Sequence, residues 1–385
     1  MNQKKKMMLI VPMLHQGGFE RICVATARLL APYYEVCIVL FDSHDIAYDI
    51  EGLHVIDIRL GVKEGLAGKL FRVLQRSLKV RRLKRQLQTD IAYSFGSTAN
   101  IVNVLSRNRA KVWVGLRSYM DMEDEKRIRL LVKRADKILC CSKRIAEELQ
   151  EKYGCDKAVT LYNPLDMVDL QAKAQAEKPQ MPWKEHGPII VSMGREDDVK
   201  GFWHLIKAFA LVKQRINDAR LMIIGDGGFT PYKKLAGELG VGEDVYFTGM
   251  QRNPFPYLQS AAVYVLTSYR EGFPNALVEA MALGLPAIAT DCPTGPAEIL
   301  EDQYGILISN MSPDVNYDAS VITEEERNLA VQISGLLEDA GKMAHYREMS
   351  VRRAKDFTTE RYVELIRQYG SVRSTSRTQQ QRLLR

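Results

Sequence analysis

The sequence predicts an α/β chain built from two doubly wound, Rossmann-like parallel-sheet domains, and three observations carry that prediction. At 385 residues the chain exceeds one ordinary core, and its length suggests two domains. Short apolar runs alternate with helical segments in two successive series, as parallel strands covered on both faces do. Between the series, Ala172-Lys-Ala-Gln-Ala-Glu-Lys-Pro-Gln-Met-Pro-Trp is polar and proline-bearing, as linkers are. The expected division is therefore a first domain over residues 1–172, a linker over 173–186 and a second domain over 187–355. With 46% hydrophobic and 26% charged residues, the composition is globular, and no apolar run approaches the roughly 20 residues that span a bilayer.

The first series opens at Met7-Met-Leu-Ile-Val-Pro-Met-Leu, directly after Met1-Asn-Gln-Lys-Lys-Lys. That apolar run is short and lacks a small-residue cleavage site, so it reads as a first strand and not as a signal peptide. Strands are expected near 7–14, 34–41, 53–59, 91–95, 111–117, 137–142 and 158–162. Helices are expected near 18–31, 66–88, 97–106, 122–134 and 143–153. The second series starts at Pro188-Ile-Ile-Val-Ser-Met-Gly, with strands near 188–193, 220–225, 244–249, 262–267, 286–290 and 305–308. Its helices fall near 202–216, 231–239, 254–260, 274–284 and 295–301, and further helical signals run over 341–369. In doubly wound sheets ligands sit off the carboxyl ends of the strands, so two such domains facing each other across a cleft would put the site in that cleft.

The most informative stretch follows the strand Ala262-Val-Tyr-Val-Leu-Thr-Ser. There, Glu271 and Glu279 are separated by seven residues, across a loop that runs into a helix. Pro274 suits the first helical position, where its missing N–H costs nothing. The amides that follow form a helix N-terminus, which favours an anion. A carboxylate beside an anion site wastes attraction unless the ligand also presents hydroxyls, since an ionised carboxylate only accepts. An anion bearing hydroxyls describes a sugar nucleotide.

The run Glu271-Gly-Phe-Pro-Asn-Ala-Leu-Val-Glu-Ala-Met-Ala resembles the E-x7-E motif of retaining GT-B glycosyltransferases, family 4. The resemblance continues at Gly194-Arg-Glu-Asp-Asp-Val-Lys-Gly, at Gly225-Asp-Gly and, more loosely, at Gly17-Gly-Phe-Glu-Arg. Thr290-Asp-Cys-Pro-Thr-Gly-Pro-Ala-Glu-Ile-Leu is similar to members that build bacterial capsules and other surface polysaccharides. The resemblance implies the GT-B fold, with a last helix, here 356–370, that crosses back onto the first domain. It implies retaining transfer of a hexose or N-acetylhexosamine from a UDP-sugar to a lipid-linked saccharide, at the cytoplasmic face of the membrane.

Such a transfer loads negative charge onto the leaving diphosphate, and catalysis needs cations placed there. Arg195 and Lys200, just past the strand 188–193, supply a planar fork and a point charge. By resemblance, Glu279 holds the ribose hydroxyls and Glu271 contacts the transferred sugar or its phosphate. The amides of Gly272, Phe273 and Asn275 reach sugar and phosphate oxygens, and the base lies near Met250 and Gln251. Gly17 and Gly18 close over the diphosphate from the other domain. Many relatives place a histidine after a first-domain strand; here Arg117 stands there, as a sugar or acceptor-phosphate contact or as a partner of Asp121 or Glu123. His15, beside the glycine loop, is a second possible contact. No histidine cluster or D-x-D in a metal-binding context occurs, so transfer without metal or other cofactor is expected.

Residues 1–180 carry 31 Lys/Arg against 21 Asp/Glu, whereas the remainder carries 23 against 26, so the net charge of +7 belongs to the first half. Leu66 to Leu87 holds eight Lys/Arg and no acid, with Leu66, Leu70, Leu74, Leu78, Leu87, Phe71 and Val73 as an apolar stripe. That pattern fits an anionic membrane surface. Nucleic acid is the competing anionic partner, but stacking aromatics are missing among the arginines except Phe71. The six cysteines show no metal-ligand spacing and read as buried thiols. A Rossmann dehydrogenase lacks support because no G-x-G-x-x-G follows the first strand. A catalytically silent sugar-nucleotide binder, or the same fold using a GDP- or ADP-sugar, is the alternative. The tail 371–385, polar and basic, is expected to be mobile.

Overall fold

All thirteen expected strands form. The computed structural model describes residues 4–15, 17–176, 179–184 and 186–371. The expectation of a mobile tail falls outside these residues except for Ser371.

In the first series, β1 (Lys5–Val11), β2 (Tyr34–Leu40), β3 (His54–Asp57), β4 (Ile91–Phe95), β5 (Lys111–Leu116), β6 (Lys137–Cys140) and β7 (Ala158–Thr160) alternate with helices. These helices are α1 (Gly18–Leu30), α2 (Leu66–Gln86), α3 (Ser97–Leu105), α4 (Glu125–Arg134) and α5 (Lys143–Tyr153), with α6 (Met167–Gln175) following β7. The second series has β8 (Ile189–Met193), β9 (Arg220–Ile224), β10 (Val245–Phe247), β11 (Val263–Leu266), β12 (Ala287–Thr290) and β13 (Ile306–Ile308). Its helices are α7 (Phe202–Arg215), α8 (Thr230–Glu238), α9 (Phe255–Gln259), α10 (Asn275–Ala282), α11 (Pro296–Leu300), α12 (Glu324–Leu337), α13 (Ala340–Ala354) and α14 (Thr359–Ser371).

The strands make two sheets, ordered β3-β2-β1-β4-β5-β6-β7 and β10-β9-β8-β11-β12-β13. Pairing is parallel, with Met7 opposite Ile91 between β1 and β4, and Ile190 opposite Val263 between β8 and β11. In each sheet the strand order reverses beside the first strand of its series, which is where loops part to opposite faces and leave a binding crevice. In the second sheet this puts the loops after β8 and β11 side by side. The core of that sheet packs Phe202, Trp203, Ile206 and Phe209 of α7 against Ile190, Leu221, Ile223 and Val265, all buried.

The contacts divide the chain into two compact units. One runs to Val114 and adds Arg134–Asp136 and the chain from Thr359 onward; the other holds Gly115–Lys133 and Lys137–Thr358. The division does not fall at a linker over 173–186. The segments 115–133 and 137–172 group with the second sheet because their side chains and backbone bond to it. Lys143 N donates to Glu298 Oε2 at 2.6 Å, Tyr162 Oη to the same oxygen at 3.0 Å, and Leu165 N to Phe357 O at 2.8 Å. The last helix α14 belongs to the first unit, where Tyr362 Oη meets Thr26 Oγ1 of α1 at 2.7 Å and Lys5 Nζ donates to Gly370 O at 2.9 Å. It starts at Thr359, three residues later than expected, because residues 355–357 form a 3-10 turn.

Three further differences from the sequence reading have local causes. Pro274 is not the first helical residue: α10 begins at Asn275 and Pro274 caps it with ψ near 89°. The helix expected at 122–134 splits into a 3-10 turn at Tyr119–Met122 and α4, because Ser118 and Asp121 close a capping box on the turn. α6 and α12 were not foreseen, although Asp166 caps the first and Thr323 with Glu326 forms a capping box on the second.

Candidate active site

The loop after β8 carries Gly194, Arg195 and Lys200 into a short 3-10 turn, Asp198–Lys200, which ends at Gly201. Gly201 sits at φ 59°, and a Cβ there would meet Thr267 O at 2.5 Å, so the left-handed turn and the close approach both require glycine. Thr267 returns a hydrogen bond from Oγ1 to Lys200 O at 2.9 Å. The end of β11 therefore clamps the residue that carries the lysine.

The structure brings Lys200 and Glu271 together. Lys200 Nζ lies 2.7 Å from Glu271 Oε1, with side-chain exposures of 23% and 12%. The aliphatic stem of Lys200 runs over Gly194, whose missing Cβ leaves room for it. Glu271 is held in turn by its backbone carbonyl, which accepts from Thr294 Oγ1. Burial, then Glu271, pushes the Cys292 thiol up to about 12, so this cysteine stays a neutral wall of the site. Glu279 is buried on the second turn of α10. Tyr264, fully buried on β11, has its hydroxyl pushed up by burial first, then by Glu271 and Glu279. Both glutamates of the E-x7-E run thus make themselves felt at one tyrosine.

Arg195 is not brought to this pair. It is 72% exposed and its guanidinium binds Asp197 Oδ2, at 3.0 Å from Nη2. Its neighbour Glu196 is structural, accepting from Phe229 N at 2.9 Å.

Around α10, Gly272 runs against the segment after β5: a Cβ there would meet Arg117 O at 2.5 Å and Ser118 Cα at 2.8 Å. The Phe273 ring packs on Tyr162 and Phe357, at centroid distances of 5.3 and 5.4 Å, so it anchors the loop and leaves only backbone for a ligand. Asn275 Oδ1 accepts from Asn163 Nδ2 at 2.8 Å, and Asn163 Oδ1 accepts from Arg117 Nη1 at 2.8 Å. The amides of Asn275 and Ala276, in the first helical turn, take acceptors from outside the helix. Met250 is 48% exposed after β10, while Gln251 Nε2 donates to Thr248 O at 2.8 Å.

In the other unit, Gly17 caps α1 and Gly18 begins it. Tyr48 Oη donates to Gly17 O at 2.6 Å and accepts from Gly17 N at 2.9 Å, holding the glycine turn in place. His15 Nε2 meets His44 O at 2.8 Å.

The sequence reading assigns no role to Asn163, which bonds Arg117 and Asn275, to Tyr264 and Cys292, whose groups burial and then Glu271 shift, or to Glu298, which ties Lys143 and Tyr162 to α11. Asn163 carried a legible signal, since Tyr162-Asn-Pro follows a strand's carboxyl end. The half-buried Glu298, its carboxyl raised by desolvation and partly offset by hydrogen bonds from Lys143 N and the Tyr162 hydroxyl, had only its place in the Pro-Ala-Glu-Ile-Leu run.

Two family models match the chain: Glycosyltransferase Family 4 over residues 16–168 and Glycosyl transferases group 1 over residues 173–334. A Campylobacter jejuni protein, N-acetylgalactosamine-N,N'-diacetylbacillosaminyl-diphospho-undecaprenol 4-alpha-N-acetylgalactosaminyltransferase, is 25% identical over 372 residues, covering 92% of this chain and 96% of its own. An uncharacterized glycosyltransferase of Methanocaldococcus jannaschii is 28% identical over 334 residues, covering 76% of this chain and 82% of its own. Among solved structures, a Rickettsia africae glycosyltransferase superposes with a TM-score of 0.76 at 17% identity, covering 95% of this chain and 98% of its own. Anabaena HepE in complex with UDP gives 0.72 at 19% identity, covering 94% and 99%.

Proposed function

The chain belongs to the GT-B glycosyltransferases of group 1, family 4, and from that premise we propose that it moves a hexose or N-acetylhexosamine from a UDP-sugar to a lipid-linked saccharide, with retention at the anomeric carbon. The observation that carries this reading is the Lys200–Glu271 pair at 2.7 Å beside the N-terminus of α10, with Glu279 buried one helical stretch further on. Lys200 and the helix amides neutralise the diphosphate, while the glutamates accept from hydroxyls.

In the transfer, the bond from the sugar's C1 to the diphosphate oxygen breaks and the acceptor oxygen bonds C1 on the same face. The acceptor's proton passes to the leaving phosphate oxygen. Charge grows on that diphosphate, and Lys200 with the first amides of α10 stabilises it, while Arg195 swings from Asp197 to join them. Glu279 takes the ribose hydroxyls and Glu271 the sugar; the base rests near Met250 and Gln251. Lys200, Arg195 and the helix amides supply the positive charge without a metal.

A lipid-linked acceptor is supported by the Campylobacter relative, whose name specifies a diphospho-undecaprenol substrate and which aligns over nearly the whole chain. Among the described residues no helix is long and apolar enough to cross a membrane. Peripheral docking on the cytoplasmic leaflet is supported by α2, where Leu66, Leu70, Phe71, Leu74 and Leu78 are 51–83% exposed. Three of its basic residues turn inward instead: Arg76 Nε donates to Leu60 O at 2.7 Å, Lys79 Nζ to Ile58 O at 3.0 Å, and Lys84 Nζ to Asn103 Oδ1 at 2.7 Å. Arg81, Arg82 and Arg85 remain exposed on its last turns. The helix thus offers leucines at one end and arginines at the other, a pattern suited to an anionic interface.

The test is a calorimetric and thermal-shift panel of UDP, GDP, ADP, UMP and NAD on wild type and on Glu279→Ala. Selective binding of UDP, lost in the variant, is expected. A preference for GDP or ADP would overturn the donor, and no nucleotide binding to folded protein would leave a catalytically silent member of the family. Anomeric configuration of the product, read by NMR, tests retention.

A further inference from the structure

Arg117, Asn163 and Asn275 form a line of side chains whose hydrogen-bond polarity can be fixed from one end. A guanidinium only donates. Arg117 Nη1 lies 2.8 Å from the amide of Asn163, so the atom it meets must be that residue's oxygen. Asn163 therefore turns its N–H2 the other way, toward the amide of Asn275 at 2.8 Å. The Asn275 atom facing it must again be the oxygen. An amide has one oxygen and one nitrogen, so Asn275 is left with its N–H2 directed away from Asn163, at the first position of α10.

The line is braced at its source. Arg117 Nη1 also meets Leu161 O at 3.4 Å, and the Arg117 and Ser118 amides both donate to Asp121 Oδ2, at 3.1 and 3.3 Å. Asn163 is 8% exposed, so water does not offer it an alternative partner of equal ease. The loop before Asn275 is tied to the same segment by Arg270 Nη1 to Glu123 Oε1 at 2.9 Å and by the contact of Gly272 with the Arg117 and Ser118 backbone.

We propose that Arg117 and Asn163 are positioning residues that hold the Asn275 amide with its two N–H donors toward an acceptor oxygen of the nucleotide-sugar, either on the diphosphate or on the sugar. The proposal rests on the reading that the N-terminus of α10 holds the donor. It replaces direct contact of Arg117 with sugar or acceptor by action through Asn163. Left alone, an asparagine amide turns over readily and would offer an oxygen to an oxygen half of the time; the relay removes that choice before the ligand arrives.

The discriminating variant is Asn163→Asp, nearly the same shape. Its carboxylate still accepts from Arg117 but presents an acceptor to Asn275, which must turn over and face the ligand with its oxygen. Asn163→Ala removes the relay and leaves Asn275 able to turn either way. A relay that sets polarity ranks Asn163→Asp as the more damaging, with UDP binding weakened about tenfold, the size of one lost hydrogen bond. A merely structural asparagine ranks Asn163→Ala as the more damaging, through the cavity it leaves. Asn275→Asp, which also puts an oxygen toward the ligand, is expected to match Asn163→Asp.

Calorimetry with UDP and steady-state kinetics with the UDP-sugar, on the full chain, give the readouts. Weaker UDP binding in Asn163→Asp places the accepting oxygen on the diphosphate. Unchanged UDP binding with a raised KM for the UDP-sugar places it on the sugar. Wild-type UDP binding and wild-type KM in Asn163→Asp would overturn the proposal, as would Asn163→Ala being the worse of the two. If Asn163→Asp does not fold, Arg117→Lys, which still only donates, must keep both UDP affinity and the KM for the UDP-sugar while Arg117→Gln worsens one of them; equal effects on both readouts overturn the proposal. Failure of wild type to bind UDP, with no response in Glu279→Ala, is a different outcome and removes the donor reading on which the relay depends.

Discussion

Replacing Glu271 by glutamine should tighten UDP binding while slowing transfer. Lys200 is engaged within the chain: its Nζ is 2.7 Å from Glu271 Oε1, and the two side chains are 23% and 12% exposed. At that separation, with an effective dielectric of about 20, the attraction is about 6 kcal/mol before desolvation is counted. The net value of a hydrogen bond to a charged group is about 1.5–3 kcal/mol. An incoming diphosphate must displace the carboxylate from the lysine or share it against like charge. Glutamine keeps an oxygen for Lys200 but removes the charge, so about half of that net value is released to the ligand, which is up to roughly tenfold in Kd. UDP carries no sugar, so its affinity isolates this competition from Glu271's own contact with the sugar. Calorimetry on wild type, Glu271→Gln and Glu279→Gln would show it. The first variant should bind UDP up to about tenfold more tightly and turn over more slowly, and its ligand-induced rise in melting temperature should exceed that of wild type. UDP binding that is unchanged or weaker in Glu271→Gln would refute the idea that the glutamate stands in for the phosphate.

Other outcomes follow from contacts elsewhere. Gly272→Ala should cost about 1–3 kcal/mol in urea denaturation, because its Cβ would meet Arg117 O at 2.5 Å and Ser118 Cα at 2.8 Å, whereas Gly18→Ala, with nothing within 4 Å, should leave stability unchanged. Burial, then Arg107, lowers Lys84 to about 7 from its ordinary 10.5, so the unfolded chain binds more protons between those values and stability should rise with pH through that window. Lys84→Met should lack that rise, which amounts to at most about 5 kcal/mol over the full window, and matched denaturation curves at pH 7 and pH 9.5 would reveal parallel slopes if the assignment is wrong. Leu70→Glu with Leu74→Glu on α2 should abolish sedimentation with phosphatidylglycerol vesicles without lowering UDP affinity, and retained vesicle binding would move the membrane contact off this helix.

Strand positions were legible because the central strands are short apolar runs buried on both faces, as in Ile189-Ile-Val and Val263-Tyr-Val-Leu. The spacing of the E-x7-E glutamates was legible for a related reason: a strand end, a glycine and a proline put Glu271 on a loop and Glu279 on the helix it enters. What the sequence hid was which charges already satisfy one another. Arg195 and Lys200 look equivalent in the run Gly194-Arg-Glu-Asp-Asp-Val-Lys, yet one lies on Asp197 in solvent and the other on Glu271, 71 residues away. Likewise, eight basic residues between Leu66 and Leu87 suggest a uniformly cationic helix. Three of them instead donate to carbonyl oxygens of the chain, at Leu60, Ile58 and Asn103. The pairing of Lys200 with Glu271 is set by the reversal of strand order beside β8, not by local pattern. α12 was missed although Thr323 and Glu326 have the capping-box spacing, because its apolar positions follow a polar loop that obscures the period.

The way the site's own charges pair restricts what can fill it. A half-buried lysine without a counter-charge would be costly, so a site built to hold phosphate must carry its own acid while it waits. Glu271 meets that need for Lys200 and Asp197 meets it for Arg195. A ligand that brings only negative charge frees Glu271 from Lys200 and leaves the carboxylate buried without a partner, at a cost that offsets the gain. A ligand that brings only hydroxyls must compete with the lysine for the same carboxylate. On the proposed reading a sugar nucleotide would do both at once: its diphosphate would take Lys200 and Arg195, its sugar hydroxyls the released Glu271 and its ribose hydroxyls Glu279, while Asp197, 31% exposed, would be left to solvent. The exchange then leaves each buried charge with a partner. In this arrangement selectivity for a molecule that joins phosphate to polyol comes from the cost of half-exchange, and Asn275, with its donors already turned outward, adds a contact that needs no partner displaced.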